Sequence, residues 1–129
     1  MDNYFRKFEL IEECFKRLFQ IAKDNQTILQ YRNSWKDKDA AERNIQKIVE
    51  AVIDIGKMLV SQKALREPGS NREVFLVLQE NDLFPAELLP LIDKMIGMRN
   101  ILVHSYDRID DEIVYGVVSL SCLDKMVFD

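Results

Sequence analysis

Apolar residues recur along most of the chain at steps of three and four positions, the spacing of one face of an α-helix. This pattern predicts long helices over about residues 3–23, 37–61, 86–104 and 112–127, and a short helix over about residues 72–80. Helices joined by short loops pack as antiparallel neighbours. The expected fold class is therefore all-α, an antiparallel bundle of four long helices plus one short helix.

Length and turn content agree with that expectation. The 129 residues are typical of one domain, and the low counts of Gly 4 and Pro 3 favour long uninterrupted elements. A sandwich of many short strands needs more turns than these residues supply. We therefore expect a single helical domain over residues 1–129. The local alternative is a strand over residues 114–120, where β-branched residues are frequent.

Several positions carry expectations about packing. Trp35 follows a weaker, irregular stretch over residues 24–36 and is expected to pack against the bundle. The fourth helix has the most apolar residues, which predicts a central element buried on more than one side. In the first helix, phenylalanines share the apolar face, and we interpret them as core residues rather than as a recognition surface. They are Phe5, Phe8, Phe15 and Phe19.

Helix starts and one glycine add local detail. Asp37 or Asp39 is a candidate N-cap for the second long helix, and Ser70 or Asn71 for the short one. Gly56 lies inside the second long helix, where it costs about 1 kcal/mol relative to alanine. Because glycine has no side chain, we expect this position to permit a close approach between two helices.

Charge and cysteine usage narrow the functional classes. A net charge of −4 argues against a protein that coats nucleic acid, although it leaves room for a small basic site. No signal peptide or membrane-length apolar run is seen, so a cytosolic protein is expected. Cys14 and Cys122 lack CxxC partners and are interpreted as reduced thiols rather than a disulfide or reactive pair. With one histidine, no metal site and no cofactor are expected.

The only histidine, His104, follows Arg99 by five positions and precedes Tyr106 by two. On a continuous helix, Arg99 and His104 would point about 140° apart, whereas Arg99 and Tyr106 would lie within roughly 20°. These residues therefore do not form a triad on one helix face. Either the helix ends near His104, or a second copy of the chain completes the site across a homodimer interface. The two explanations are compatible.

These residue types suit cleavage of phosphodiester bonds in RNA. Arg99 can bind phosphate oxygens and stabilise developing negative charge, and His104 can exchange protons near neutral pH. Asn100 can donate to a phosphate or position the sugar, and Tyr106 offers a stacking surface and a hydroxyl. On spacing alone a structural role is more common, because a histidine near a helix C-terminus often caps it.

The order Arg-Asn-x-x-x-His-x-Tyr, from Arg99 to Tyr106, closely resembles the signature of HEPN-domain ribonucleases, in particular the HepT-like toxins of MNT/HEPN toxin–antitoxin pairs. The similarity extends beyond the motif. Residues 40–56 are similar to the second helix of that family, and residues 97–115 to its most characteristic block.

The resemblance implies a HEPN-like fold and a metal-independent endoribonuclease that acts as a homodimer, with its cleft at the dimer interface. Arg99 and His104 would be the catalytic pair, Asn100 and Tyr106 supporting residues, and RNA the substrate. It also implies an MNT-type nucleotidyltransferase antitoxin that adenylylates Tyr106. The alternative is a non-catalytic helical module that binds a nucleotide or docks a nucleotidyltransferase.

Overall fold

The computed structural model describes the backbone of residues 2–128 and the side chains of residues 3–121, and this part of the chain is an all-α bundle. Two single-turn 3-10 helices, Ala86–Leu88 and Tyr106–Arg108, flank the fifth α-helix. The α-helices are α1 (Asp2–Asp24), α2 (Ile28–Arg32), α3 (Trp35–Gln62), α4 (Asn71–Glu80), α5 (Leu89–His104) and α6 (Asp111–Phe128).

The predicted fold class is confirmed. The four long helices and the short one lie where the periodicity placed them, and α6 replaces the alternative strand over residues 114–120. The five-residue helix α2 lies in the stretch expected to be irregular. It is too short for a periodic pattern and is specified by a capping box, in which Thr27 and Gln30 satisfy each other's backbone N–H groups.

The starts of α2, α3 and α4 each follow a short polar side chain. Ser70 caps α4 by accepting a hydrogen bond from the Glu73 N–H at 3.2 Å, as predicted. Ser34, not an aspartate, caps α3, so this helix begins at Trp35. Trp35 is 67% exposed, and the Lys36 ammonium lies 5.6 Å from its ring centroid. The prediction that Trp35 packs against the bundle is therefore wrong.

The central element of the bundle is α3, not α5. α3 contacts α1, α2, α4, α5 and α6. It packs tightly against α4 at Gly56, where a Cβ would lie 2.8 Å from Val74 Cγ1 and 3.3 Å from the Phe75 ring. The predicted role of Gly56 in helix contact is confirmed. In α5 only Ile92 and Ile96 are buried, so the prediction that this helix is buried on more than one side is wrong for the single chain.

The phenylalanines of α1 also depart from expectation. The predicted apolar stripe is wider than the face covered by α3 and α6, so its outer members remain at the surface. Phe5, Phe8 and Phe15 are exposed, whereas Cys14 and Leu18 are fully buried. Burial raises the pKa of the Cys14 thiol, which keeps it protonated and unreactive. The side chain of Cys122 lies outside the described residues.

No helix in the described part of the chain is long and apolar enough to cross a membrane.

Candidate active site at the end of α5

The site is organised by the point at which α5 stops. The last hydrogen bond of the helix runs from the Ser105 N–H to the Ile101 carbonyl at 2.9 Å, and Ser105 then leaves helical geometry with φ −134° and ψ 45°. A single 3-10 turn follows, closed by the Arg108 N–H on the Ser105 carbonyl at 2.8 Å. The expectation that the helix ends near His104 is confirmed. Tyr106 consequently projects from a turn and no longer follows the helical wheel of α5.

Arg99 is held on the inner side of α5. Its side chain is only 23% exposed, and its Nε lies 3.4 Å from Glu50 Oε1 of α3. Its Nη1 donates a hydrogen bond to Asn100 Oδ1 at 3.2 Å. Among the side chains of residues 3–121, none accepts a hydrogen bond from Nη2. The guanidinium therefore has an ion-pair contact at Nε and a hydrogen bond at Nη1, and its third nitrogen, Nη2, is left as a donor for a ligand.

His104 and Tyr106 are open to solvent. His104 is exposed in the last turn of α5, and Tyr106 is 75% exposed. Within residues 3–121, neither the imidazole nor the phenolic hydroxyl has a hydrogen-bond partner. Both side chains can thus meet a substrate or a modifying enzyme without breaking a contact of the fold.

The structure brings only some of the predicted site residues into contact with one another. Arg99 and Asn100 are in direct contact, whereas no hydrogen bond links either of them to His104 or Tyr106 in the described part of the chain. Sequence reasoning missed Glu50, a residue of the second long helix that it did not single out. Gln46, four positions earlier, donates its Nε2 to Glu50 Oε1 at 3.1 Å, but a Gln and a Glu at this spacing are common on helix surfaces and do not indicate a contact with α5.

Two exposed cations lie on the same stretch of the chain as the site. Lys94 and Arg108 are exposed and form no ion pair with any residue between 3 and 121. They are local cations in a chain whose net charge is −4. The described residues contain no group of three or more His, Cys, Asp or Glu side chains placed to hold a metal ion.

In this all-α bundle, Arg99, Asn100 and His104 lie in the last two turns of α5. This arrangement is the one expected of a HEPN-type protein, and the comparisons with known proteins agree. A family model described as Ribonuclease HepT-like matches residues 9–124, which include the whole site. The mRNA nuclease HepT of Shewanella oneidensis is 34% identical over 117 residues, covering 91% of this chain and 86% of the relative. The chain therefore belongs to the HepT-like ribonuclease family, as its sequence predicted.

Two further relatives extend the comparison. The tRNA nuclease HepT of Aphanizomenon flos-aquae is 32% identical over 98 residues, covering 76% of this chain and 67% of the relative. A tri-AMPylated HEPN toxin of Shewanella oneidensis, solved in complex with an MNT antitoxin, superposes with a TM-score of 0.82 at 34% identity. That superposition covers 92% of this chain and 86% of the other.

Proposed function

We propose that the chain is the ribonuclease toxin of a toxin–antitoxin pair and that Arg99 and His104 cleave the RNA. The observation that carries this proposal is an arginine with a free Nη2 donor and an exposed histidine at the end of one helix. The family assignment supports the activity, because curated relatives are named as mRNA and tRNA nucleases. The named relatives differ in substrate, so the class of RNA is left open.

The chemistry requires one anion-binding group and one group that exchanges protons. Neutral His104 removes the proton from a 2′-hydroxyl, whose oxygen then attacks the adjacent phosphorus. The bond from phosphorus to the 5′-oxygen breaks, and that oxygen takes a proton from an imidazolium. Arg99 binds the non-bridging oxygens, where negative charge develops, and Asn100 keeps it in place. Because side chains supply both functions, the proposed reaction is metal-independent.

An apolar surface that the single chain leaves uncovered supports the proposal of a homodimer. One flank of α5 carries a stripe at helical spacing, in which Leu91 is 53% and Ile101 is 42% exposed. Met95, Met98 and Leu102 continue it and are half-buried. The stripe runs along the helix that bears Arg99 and reaches Ile101 and Leu102, within one turn of His104 in sequence. A second copy packed here would remove apolar surface from water and bring a second histidine to the cleft, so one imidazole can act as base and the other as acid.

Control of the toxin is proposed to act through Tyr106 and an MNT-type nucleotidyltransferase antitoxin. In this step the Tyr106 hydroxyl oxygen attacks the α-phosphorus of ATP, pyrophosphate leaves, and the phenol proton passes to solvent. The Shewanella toxin of similar fold is AMPylated and binds an MNT antitoxin. An adenylyl group on Tyr106 would carry its phosphate towards the free donor of Arg99 and occupy the cleft.

The catalytic assignment is tested by cleavage of a labelled RNA with purified protein. Arg99→Ala and His104→Ala are each expected to lower the cleavage rate by ~100-fold or more, since both groups act in the transition state. Cleavage by the parent should persist in EDTA. If both variants cleave like the parent, the assignment is wrong. Tight binding of the nucleotidyltransferase without cleavage at any enzyme concentration would favour the non-catalytic helical module.

A further inference from the structure

A carboxylate from a distant part of the chain meets the arginine of the site. Glu50 lies in the middle of α3, and its side chain is 38% exposed. Its Oε1 is 3.4 Å from Arg99 Nε, a contact between residues 49 positions apart in sequence. The Nε atom is inaccessible to solvent and has no hydrogen-bond partner of its own. Glu50 is therefore the counter-charge for the buried edge of the guanidinium.

Glu50 is itself held in place. Gln46 lies one turn earlier on α3 and donates its Nε2 to the same Oε1 atom at 3.1 Å. This hydrogen bond restricts the carboxylate to the side of α3 that faces α5, the helix of Arg99. The contacts form a chain from Gln46 to Glu50 to Arg99, and Asn100 closes it at Nη1.

We propose that Glu50, supported by Gln46, is a positioning residue of the ribonuclease, which orients the Arg99 guanidinium so that Nη2 faces the substrate phosphate. The inference rests on the proposed function. An arginine side chain has several rotatable bonds, and an ion pair at its inner edge removes most of that freedom before RNA arrives. In metal sites, removing a polar group that orients a metal ligand typically lowers activity ~10- to 100-fold, and we expect a loss of that order for a group that orients Arg99.

The same contact admits an opposite interpretation, in which Glu50 competes with phosphate for Arg99. The two interpretations predict opposite signs. A competing carboxylate, once removed, would strengthen RNA binding and leave the turnover number unchanged or higher. A positioning carboxylate, once removed, lowers the turnover number. The geometry favours positioning, because Glu50 contacts the buried Nε and leaves Nη2 free.

The experiment measures the turnover number and KM of the full-length protein for one labelled RNA, in the parent, Glu50→Ala, Glu50→Gln and Gln46→Leu. Glu50→Ala is expected to lower the turnover number ~10- to 100-fold with KM within about twofold of the parent. Glu50→Gln keeps an oxygen acceptor for Arg99 and should retain more activity than Glu50→Ala. Gln46→Leu should show a smaller loss of the same kind.

Asp54→Asn provides the matched control. Asp54 lies one turn after Glu50 on the same helix and pairs with Lys7 of α1 at 2.9 Å, so its loss removes the same charge without touching Arg99. This variant should turn over RNA like the parent. Thermal unfolding of every variant is measured alongside, and an activity loss that merely follows a lower Tm, or that Asp54→Asn shares, overturns the proposal.

Two reference proteins separate this inference from the proposed function. The parent and His104→Ala are assayed with the same RNA. If the parent does not cleave, or if His104→Ala cleaves equally well, the proposed function fails and the role of Glu50 fails with it. If the parent cleaves, His104→Ala does not, and Glu50→Ala matches the parent or gains affinity, only the positioning role is overturned.

Discussion

At the scale of single residues, the hydroxyl groups of the four tyrosines show which one a modifying enzyme can reach. Tyr4 donates to Gln62 at 2.7 Å, and Tyr115 donates to the Asn25 carbonyl at 2.7 Å. Tyr31 is fully buried, and this burial raises the pKa of its hydroxyl. Tyr106 alone combines high exposure with a hydroxyl that no residue between 3 and 121 engages.

Adenylylation should therefore be confined to Tyr106. Co-expression with an MNT-type nucleotidyltransferase is expected to add adenylyl mass to the protein, as measured by intact mass spectrometry, and cleavage of RNA should fall in proportion. Tyr106→Phe should remain unmodified and active. Tyr4→Phe is the control and should be modified like the parent. Adducts that persist on Tyr106→Phe would contradict this placement.

The same scale shows what spacing in sequence cannot reveal. Arg99, Asn100, His104 and Tyr106 were identified because neighbouring residue types suggested a chemistry. Glu50 was missed because its contact with Arg99 depends on how α3 and α5 pack. Charged residues on the polar side of a helix are usually solvated, and only tertiary structure distinguishes the one that faces another helix.

At the scale of elements, the close contact of α3 with α4 makes Gly56 sensitive to an added methyl group. Alanine at this position would gain about 1 kcal/mol of helix propensity. Its Cβ would also meet the stiff, buried side chain of Val74 at 2.8 Å, and overpacking of this kind typically costs about 1–3 kcal/mol. Gly56→Ala should therefore lower the free energy of unfolding by about 1 kcal/mol.

Gly116 of α6 is the matched control for that prediction. It is exposed, and a Cβ built on it meets nothing within 4 Å. Gly116→Ala should raise the free energy of unfolding by up to about 1 kcal/mol, through propensity alone. Both variants are compared by urea denaturation. Equal stabilisation by the two alanines would show that α3 and α4 can separate without penalty.

Periodicity predicted the long helices well because apolar residues recur at steps of three and four along each of them, including α5, which has no side-chain N-cap. It predicted burial wrongly where the apolar pattern does not show which other helix covers that face. The phenylalanines of α1 share a face with Leu18, but that face is wider than the contact with α3 and α6. The many apolar residues of α5 suggested a central helix. The sequence alone does not show whether the second apolar side of α5 packs within the same chain or against another chain.

At the scale of the whole molecule, the uncovered apolar stripe of α5 predicts that two copies of the chain form a dimer. Leu91→Asp places a charge in the uncovered stripe, 53% exposed in the single chain, and is expected to convert the proposed dimer into monomers with reduced cleavage. The measurement is light scattering after size-exclusion chromatography. Leu120→Asp on α6, at a position 55% exposed, is the control and should stay dimeric. Dissociation by Leu120→Asp alone would place the interface on α6.

Because α5 ends at Ser105 and Tyr106 lies on the turn that follows, the proposed mechanism allows single mutations to change cleavage and its control separately. Because the Tyr106 side chain is 75% exposed and makes no hydrogen bond in the described part of the fold, we expect its replacement to leave the rest of the molecule intact. Under the proposed mechanism, a single nucleotide change can then produce a toxin that folds and cuts normally but no longer accepts its antidote. A change at His104 does the reverse and leaves a harmless protein that the antitoxin still recognises. Under this mechanism, cleavage of RNA depends on His104 and its control by the antitoxin depends on Tyr106, two positions later in the chain.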